Sequence, residues 1–183
     1  MEREERMAST KQLIAEGRFV RFVNNDGWEY AERKNITGIV AIVATTEDRR
    51  WILVEQFRRP VDAPVIELPA GLVGDVQGEE RESFEAAAQR ELIEETGYRA
   101  EKFEFLTEGP VSAGITNEVI TFLRARGLEK VASGGGDRHE DIFVHEIPLT
   151  ESLSRLKRIQ KEGVLVDPKV YAALFFLRDL LDG

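Results

Sequence analysis

The chain has 183 residues, a length that suits a single domain, and 42% of them are apolar, enough to fill a sizeable core. Lys and Arg number 25 against 34 Asp and Glu, so the formal charge is −9, which argues against nucleic-acid binding as the main function but leaves room for a local basic pocket. There is no cysteine, which removes disulfides, thiolate metal sites and cysteine nucleophiles.

The first ten residues, MEREERMAST, are charged throughout and contain no apolar stretch of the kind a signal peptide needs. Apolar runs such as Ile39–Ala44 fall far short of the ~20 residues that span a bilayer. A soluble cytoplasmic protein with no membrane partner is expected. Gly17–Val23 and Trp28–Arg33 read as strands around the turn signal Asp26-Gly27. Ile36–Thr45 and Trp51–Phe57 are β-branched and apolar, and the four segments together read as consecutive antiparallel strands. Val65–Leu68 reads as a short strand after the Pro60 and Pro64 loop. The period then changes. Ser83 is a plausible N-cap, Phe84, Ala88 and Leu92 recur at helical spacing, and Gly97 suits the residue after the helix end. Strands follow at Phe103–Leu106 and Val119–Ala125. Ala132–His139, with Gly134-Gly135-Gly136, reads as a flexible loop, and Asp141–Ile147 as another strand. Two helices, Thr150–Glu162 and Pro168–Leu181, end the pattern. The expected class is α+β, an α/β/α sandwich around a mixed sheet, preceded by an N-terminal antiparallel strand pair. Residues 1–35 would form the N-terminal strands and 36–183 the main domain.

The informative stretch is Arg90-Glu91-Leu92-Ile93-Glu94-Glu95-Thr96-Gly97. Glu91, Glu94 and Glu95 stand at i, i+3 and i+4, so one helical face carries three carboxylates. Glu91 and Glu95 repel by ~0.2–0.5 kcal/mol. No Lys or Arg lies one turn further on before Gly97 ends the helix, and acids in a last turn oppose the helix dipole. A divalent cation among them would account for the arrangement. Oxygen donors without cysteine point to Mg²⁺ or Mn²⁺.

With Glu82 separated from Arg90 by seven residues, and Tyr98 after Gly97, the stretch resembles the signature of the Nudix hydrolases, G-x5-E-x7-R-E-U-x-E-E-x-G-U with U aliphatic or aromatic. The opening glycine departs from it. Val76 stands at its place, and Gly71 lies eleven positions before Glu82, which lengthens the loop by five residues. Glu67-Leu68-Pro69-Ala70-Gly71 resembles the E-x-P-A-G lead-in of the ADP-ribose pyrophosphatase and nucleoside-diphosphate-sugar hydrolase branch. Gln56-Phe57-Arg58 resembles its Q-[FY]-R strand end. Trp28-Glu29 with Arg33 resembles its early substrate-contacting strand. Ser112–Glu118 resembles an S-P-G-x-T-x-E element, with Ala113 in place of the proline.

The resemblance implies a Nudix-type fold and Mg²⁺-dependent hydrolysis of a nucleoside diphosphate linked to another group. It implies a metal held by Glu91, Glu94, Glu95 and the Ala70 carbonyl, with Glu94 and Glu95 also counted as catalytic. It also implies a homodimer in which N-terminal strands complete the partner's site. Arg90 is read as a tether for a box carboxylate. Arg58 at a strand end suits a phosphate clamp, and Trp28 suits stacking on a base, with Glu29 and Arg33 beside it. Trp51 reads as packing, and His139 and His145 as ordinary surface or core residues. A loop acid is expected to activate the water: Glu140 is favoured and Asp137 is the runner-up. Asp167-Pro168-Lys169 opens the last helix. Asp and Pro are ordinary there, but a cation in the first turn opposes the helix dipole and suits an anion site. The trio resembles the Asp-x-Lys motif of nucleoside-diphosphate-sugar hydrolases, so Asp167 and Lys169 are substrate-binding candidates. A nucleotide sugar is the favoured substrate and ADP-ribose the alternative. A non-catalytic nucleotide-sugar sensor is the reading from another class, disfavoured because all three glutamates are kept.

Overall fold

The computed structural model describes residues 11–76, 81–136 and 141–181. Three strands open it: β1 (Lys11–Glu16), β2 (Val20–Asn25) and β3 (Trp28–Arg33), an antiparallel sheet in that order. The β2–β3 hairpin turns at Asp26-Gly27, both at positive φ (52° and 88°), the mirror-image turn geometry that two-residue hairpins favour. The sheet is thus a trio rather than the expected pair. Every residue of β1 is exposed, so no buried apolar alternation marks it in the sequence, and its pairing with β2 is what makes it a strand.

β4 (Gly38–Thr45), β5 (Arg50–Arg58), β6 (Ala63–Glu67) and β7 (Ala70–Val73) follow, then helix α1 (Phe84–Glu91) and the short β8 (Tyr98–Arg99). β9 (Lys102–Pro110), β10 (Val119–Arg126), the short β11 (Glu129–Lys130) and β12 (Phe143–Pro148) come next. Helix α2 (Ser152–Lys161), the short β13 (Leu165–Val166) and helix α3 (Pro168–Leu181) complete the order. The main sheet runs β13-β6-β5-β4-β10-β9, with β12 added on β5 and β7 on β4. It is mixed: β10 lies parallel to β4 and β13 parallel to β6, and the other pairs are antiparallel.

The expected run of four antiparallel strands does not form, because β3 and β4 belong to different sheets. One edge of β4 is taken by β10, and the other is shared by β7 at Gly38–Ala41 and β5 at Ala44–Thr45, which leaves no place for β3. Asn35, at φ 56°, turns the chain between them, and Lys34 N–H is retained by the Phe19 carbonyl at 2.9 Å.

β4 is buried on both faces, as its unbroken apolar run requires. Val40, Ile42 and Ala44 pack with Ala87, Ala88 and Leu92 at α1. Ala41 and Val43 pack on the other side with Trp51, Leu156 and Ile159 of α2, and Val170, Ala173 and Leu177 of α3. A side-chain period of two therefore feeds two cores and makes the α/β/α sandwich. Trp51 is fully buried, the packing role expected of it.

Candidate active site

Ser83 caps α1, its Oγ accepting from Ala86 N–H at 3.2 Å. The helix does not run on as α to Gly97. Leu92–Thr96 form a π-helical turn, and Gly97 closes it in the left-handed region at φ 73°. Such wide turns occur mostly as single insertions, often at functional sites, and this one carries Glu94 and Glu95.

The wide turn separates the three glutamates. Glu95 is buried, and its Oε2 accepts from Ala70 N–H at 3.1 Å. Glu91 lies over Gly71, so close that a Cβ on Gly71 would fall 2.0 Å from the Glu91 carboxyl carbon. Glu94 is half exposed, with its Oε2 3.7 Å from Arg90. Two glutamates thus converge on the Ala70-Gly71 start of β7, while the third is set apart. Among the described residues, no group of three or more acidic or imidazole side chains is already gathered as a metal cluster.

The counter-charge to Glu91 comes from the preceding residue, Arg90. Its guanidinium donates to Glu82 (3.1 and 3.2 Å), Glu91 (2.7 Å), Asp75 (3.3 Å) and the Leu72 carbonyl (3.0 Å). This matches the tether expected of it and stitches the lengthened loop to the helix. The hydrogen bond from Arg90 holds the Glu82 carboxyl below its ordinary range, against the effect of burial. Glu91 goes the other way: burial pushes its carboxyl up to about 7, and Arg90 offsets only part of that.

The glycine-rich stretch is docked rather than loose over its described part. Gly135 N–H donates to the Glu95 carbonyl at 2.9 Å and Gly136 N–H to the Glu94 carbonyl at 3.0 Å. Gly134, at φ 71°, admits no side chain, since a Cβ would stand 2.4 Å from the Thr96 carbonyl carbon. Sequence reasoning missed this contact. The triple glycine was its signal, read as flexibility when its use is close backbone approach. Asp137, His139 and Glu140 lie outside the described residues.

The remaining candidates are dispersed around this centre. Arg58 donates to Glu67 Oε2 at 2.6 Å, so the expected phosphate clamp sits in an ion pair on neighbouring β5 and β6. Arg33 donates to Glu118 at 2.8 Å. Trp28 and Glu29 are exposed at the β2–β3 turn. His145 contacts Glu55 at 2.8 Å, the ordinary role foreseen for it. Asp167 caps α3 by accepting from Lys169 N–H at 2.7 Å, and the Lys169 ammonium folds back onto the same carboxylate. Both line a pocket of about 390 Å³ with Glu108, Ile120 and Phe122, on the α3 side of the sheet.

A raised Glu91 pKa carries a stability signature. In the metal-free protein, its contribution is fully present below about pH 4.5 and is lost as pH rises toward 7, because charging the buried carboxyl then costs more in the folded state. Glu91→Gln is therefore expected to melt above the parent at pH 8 in EDTA, with the difference vanishing at pH 4. Calorimetry across that range checks it.

The NUDIX domain family matches residues 36–165, from the residue after Asn35 to the start of β13. A methanol dehydrogenase activator of Bacillus methanolicus is 32% identical over 182 residues, covering 96% of this chain and 93% of its own. An ADP-ribose pyrophosphatase of Bacillus subtilis is 34% identical over 141 residues, covering 77% of this chain and 72% of its own. An ADP-sugar pyrophosphatase of Mus musculus is 32% identical over 192 residues, covering 91% and 84%. A crystal structure of an ADP compounds hydrolase superposes with a TM-score of 0.70 at 20% identity, over 99% of this chain and 98% of that one, a likeness of fold. The matched span holds Glu91 and Glu95, the Arg90 tether of Glu91 and the Ala70-Gly71 strand, and by the extent of these matches the chain belongs to the Nudix family.

Proposed function

We propose that the chain hydrolyses the pyrophosphate bond of nucleoside diphosphate sugars with Mg²⁺ as cofactor (Mn²⁺ as substitute). Water oxygen adds to one phosphorus, the bridging P–O bond breaks, and a nucleoside monophosphate and a sugar phosphate leave. The observation that carries this reading is the pairing of a half-buried and a buried glutamate with one short strand: Glu91 over Gly71 and Glu95 on Ala70 N–H. These are hard oxygen donors, with Arg90 as the counter-charge on Glu91, a set that fits Mg²⁺ and suits no soft metal.

In this proposal Glu91, Glu95 and the Ala70 carbonyl hold the ion, and Glu94 assists from the solvent side. When bound, the ion supplies charge neutralisation at the phosphates. Arg58 exchanges its Glu67 partner for a phosphate oxygen, which a guanidinium binds through two parallel N–H groups. Trp28 stacks on the base, with Glu29 and Arg33 beside it. Glu140 takes the proton of the attacking water. Supporting that role, Gly136 is hydrogen-bonded to the Glu94 carbonyl, so the chain leaves the glutamate turn just before residues 137–140. Asp167 and Lys169 receive the sugar phosphate in their 390 Å³ pocket. The ADP-sugar pyrophosphatase relative supports a nucleotide sugar, and the ADP-ribose pyrophosphatase relative supports ADP-ribose as the alternative. The near full-length relative named as a methanol dehydrogenase activator supports a second reading, activation of an alcohol dehydrogenase. Adding the chain to such an enzyme and following its rate tests that reading directly.

The working form is proposed to be a homodimer joined through β1–β3, where Leu13, Ile14, Phe19, Val20 and Trp28 are all exposed. A cytoplasmic setting is proposed too, and no described helix is long and apolar enough to cross a membrane.

A substrate panel under Mg²⁺ decides the main reading. GDP-mannose or ADP-glucose is expected to exceed ADP-ribose in kcat/KM, and Lys169→Ala to lose the sugar substrates selectively, by about tenfold or more. Exclusive ADP-ribose cleavage, indifferent to Lys169→Ala, would reduce the Asp167–Lys169 pair to a helix cap. Glu140→Gln is expected to lower kcat by about a hundredfold or more at nearly constant KM; a crippled Asp137→Asn beside a normal Glu140→Gln would move the base to Asp137. Light scattering is expected to report twice the 20.7 kDa chain mass, and a monomer at micromolar concentration would exclude a shared site.

A further inference from the structure

Glu32, on β3, is only 3% exposed, yet the groups around it are polar. Its carboxylate collects donors from three separate segments: the Lys11 ammonium on β1, Arg21 Nε on β2 at 2.8 Å, and Asn117 Nδ2 at 3.2 Å on the segment between β9 and β10. Burial alone would raise this carboxyl, and the hydrogen bonds from Lys11 and Arg21 more than reverse that, so it stays ionised. Its neighbours hold the same segment. Ala31 N–H donates to the Ile115 carbonyl at 2.9 Å, and Arg33 donates to Glu118 at 2.8 Å. Three consecutive residues of β3 therefore grip residues 115–118. Successive strand side chains leave on opposite faces, so Glu32 and Arg33 take adjoining residues of the gripped segment from two sides.

The gripped segment is the wall of a cleft. Arg33, Thr37, Gly38, Asn117 and Glu118 line a space of about 290 Å³ between the N-terminal sheet and the start of β4. Gly38 rests on Phe84, the first residue of α1: a Cβ there would lie 2.5 Å from the ring. The opposite edge of the same stretch of β4 pairs with β7, where Gly38 faces Val73 and Ala41 faces Ala70. The cleft thus lies across β4 from β7, and its Gly38 touches the first residue of α1.

We propose that Glu32 is a positioning residue for substrate affinity: through Asn117 it fixes the wall of this cleft, and so the affinity for the nucleotide part of the substrate, with no share in bond cleavage. This rests on the hydrolase reading above. The competing account is that Glu32 only holds the small sheet together. Asn117 separates the two, because Asn117→Ala cuts the Glu32 tie to the segment and leaves Lys11, Glu32 and Arg21 paired.

The test compares the full-length parent, Asn117→Ala, Glu32→Gln, Glu32→Ala and the Glu32→Ala/Asn117→Ala double variant. KM and kcat are measured on whichever nucleoside diphosphate derivative the parent cleaves. The Kd of α,β-methylene-ADP, measured by calorimetry, supplies a readout that needs no turnover. Asn117→Ala is expected to raise KM and Kd about tenfold, with kcat within about twofold and the melting point unchanged. Glu32→Gln, which keeps an acceptor for Asn117, is expected to recover part of the affinity that Glu32→Ala loses. The double variant is expected to bind no worse than Glu32→Ala, since the two residues act as one unit. Parent-like KM and Kd in Asn117→Ala would overturn the proposal and leave Glu32 as a sheet fastener. A fall in kcat at constant KM would also overturn it. A parent that binds the analogue but cleaves no substrate would sink the hydrolase reading while the Kd comparison still decides the grip, and a parent that neither binds nor cleaves would overturn both.

Discussion

The centre of this protein depends on a charge imbalance held around one guanidinium. Arg90 faces Glu82, Glu91 and Asp75 within hydrogen-bonding reach, three carboxylates for one cation. Burial pushes the Glu91 carboxyl up to about 7, Arg90 offsets part of that, and the neighbouring Glu94 and Asp75 charges add to the rise. Arg90 holds these carboxylates in place, Glu91 among them against Gly71.

Backbone geometry decides which carboxylates meet. A regular α-helix would align Glu91 with Glu95 on one face. The π turn over Leu92–Thr96 instead leaves Glu94 toward solvent and brings Glu95 to the Ala70 N–H. Gly97 at φ 73° closes the turn, and Gly134–Gly136 cover its carbonyls with backbone alone. The other side is set by β7, whose pairing with the first half of β4 brings Ala70 and Gly71 under the glutamates. The absence of a side chain at Gly71 lets the Glu91 carboxylate approach, so the glycine of the Pro69-Ala70-Gly71 turn has a steric reason.

The N-terminal sheet stands outside the sandwich yet is bound to it by charge. Arg33–Glu118 and Glu32–Asn117 are its side-chain ties to the segment before β10. The first is a partly exposed ion pair and the second a hydrogen bond from a neutral amide to the buried Glu32 carboxylate, so each holds only while its donor stays in register. Leu13, Ile14, Phe19, Val20 and Trp28 stay exposed, a surface that the sandwich leaves uncovered.

Much of this was legible in the residues themselves. The apolar run of β4, the Ser83 cap, the Asp26-Gly27 turn and the bounds of α3 follow from local chemistry, because a cap or a turn is satisfied by neighbours in the chain. The spacing of Glu82, Arg90, Glu91, Glu94 and Glu95 carried the family for the same reason: along one helix, spacing is geometry. Other features could not be read that way. β1 shows no pattern because all its residues are exposed, and β3 parts from β4 because both β4 edges were already taken. The salt bridges of Arg58 and Arg33, the docking of Gly134–Gly136 and the burial of Glu32 join residues far apart in the chain. Sequence alone determined which groups are present and how a local turn or helix arranges them. Tertiary structure decided which charges are buried and what they face, because burial and Coulomb partners are properties of the packed chain.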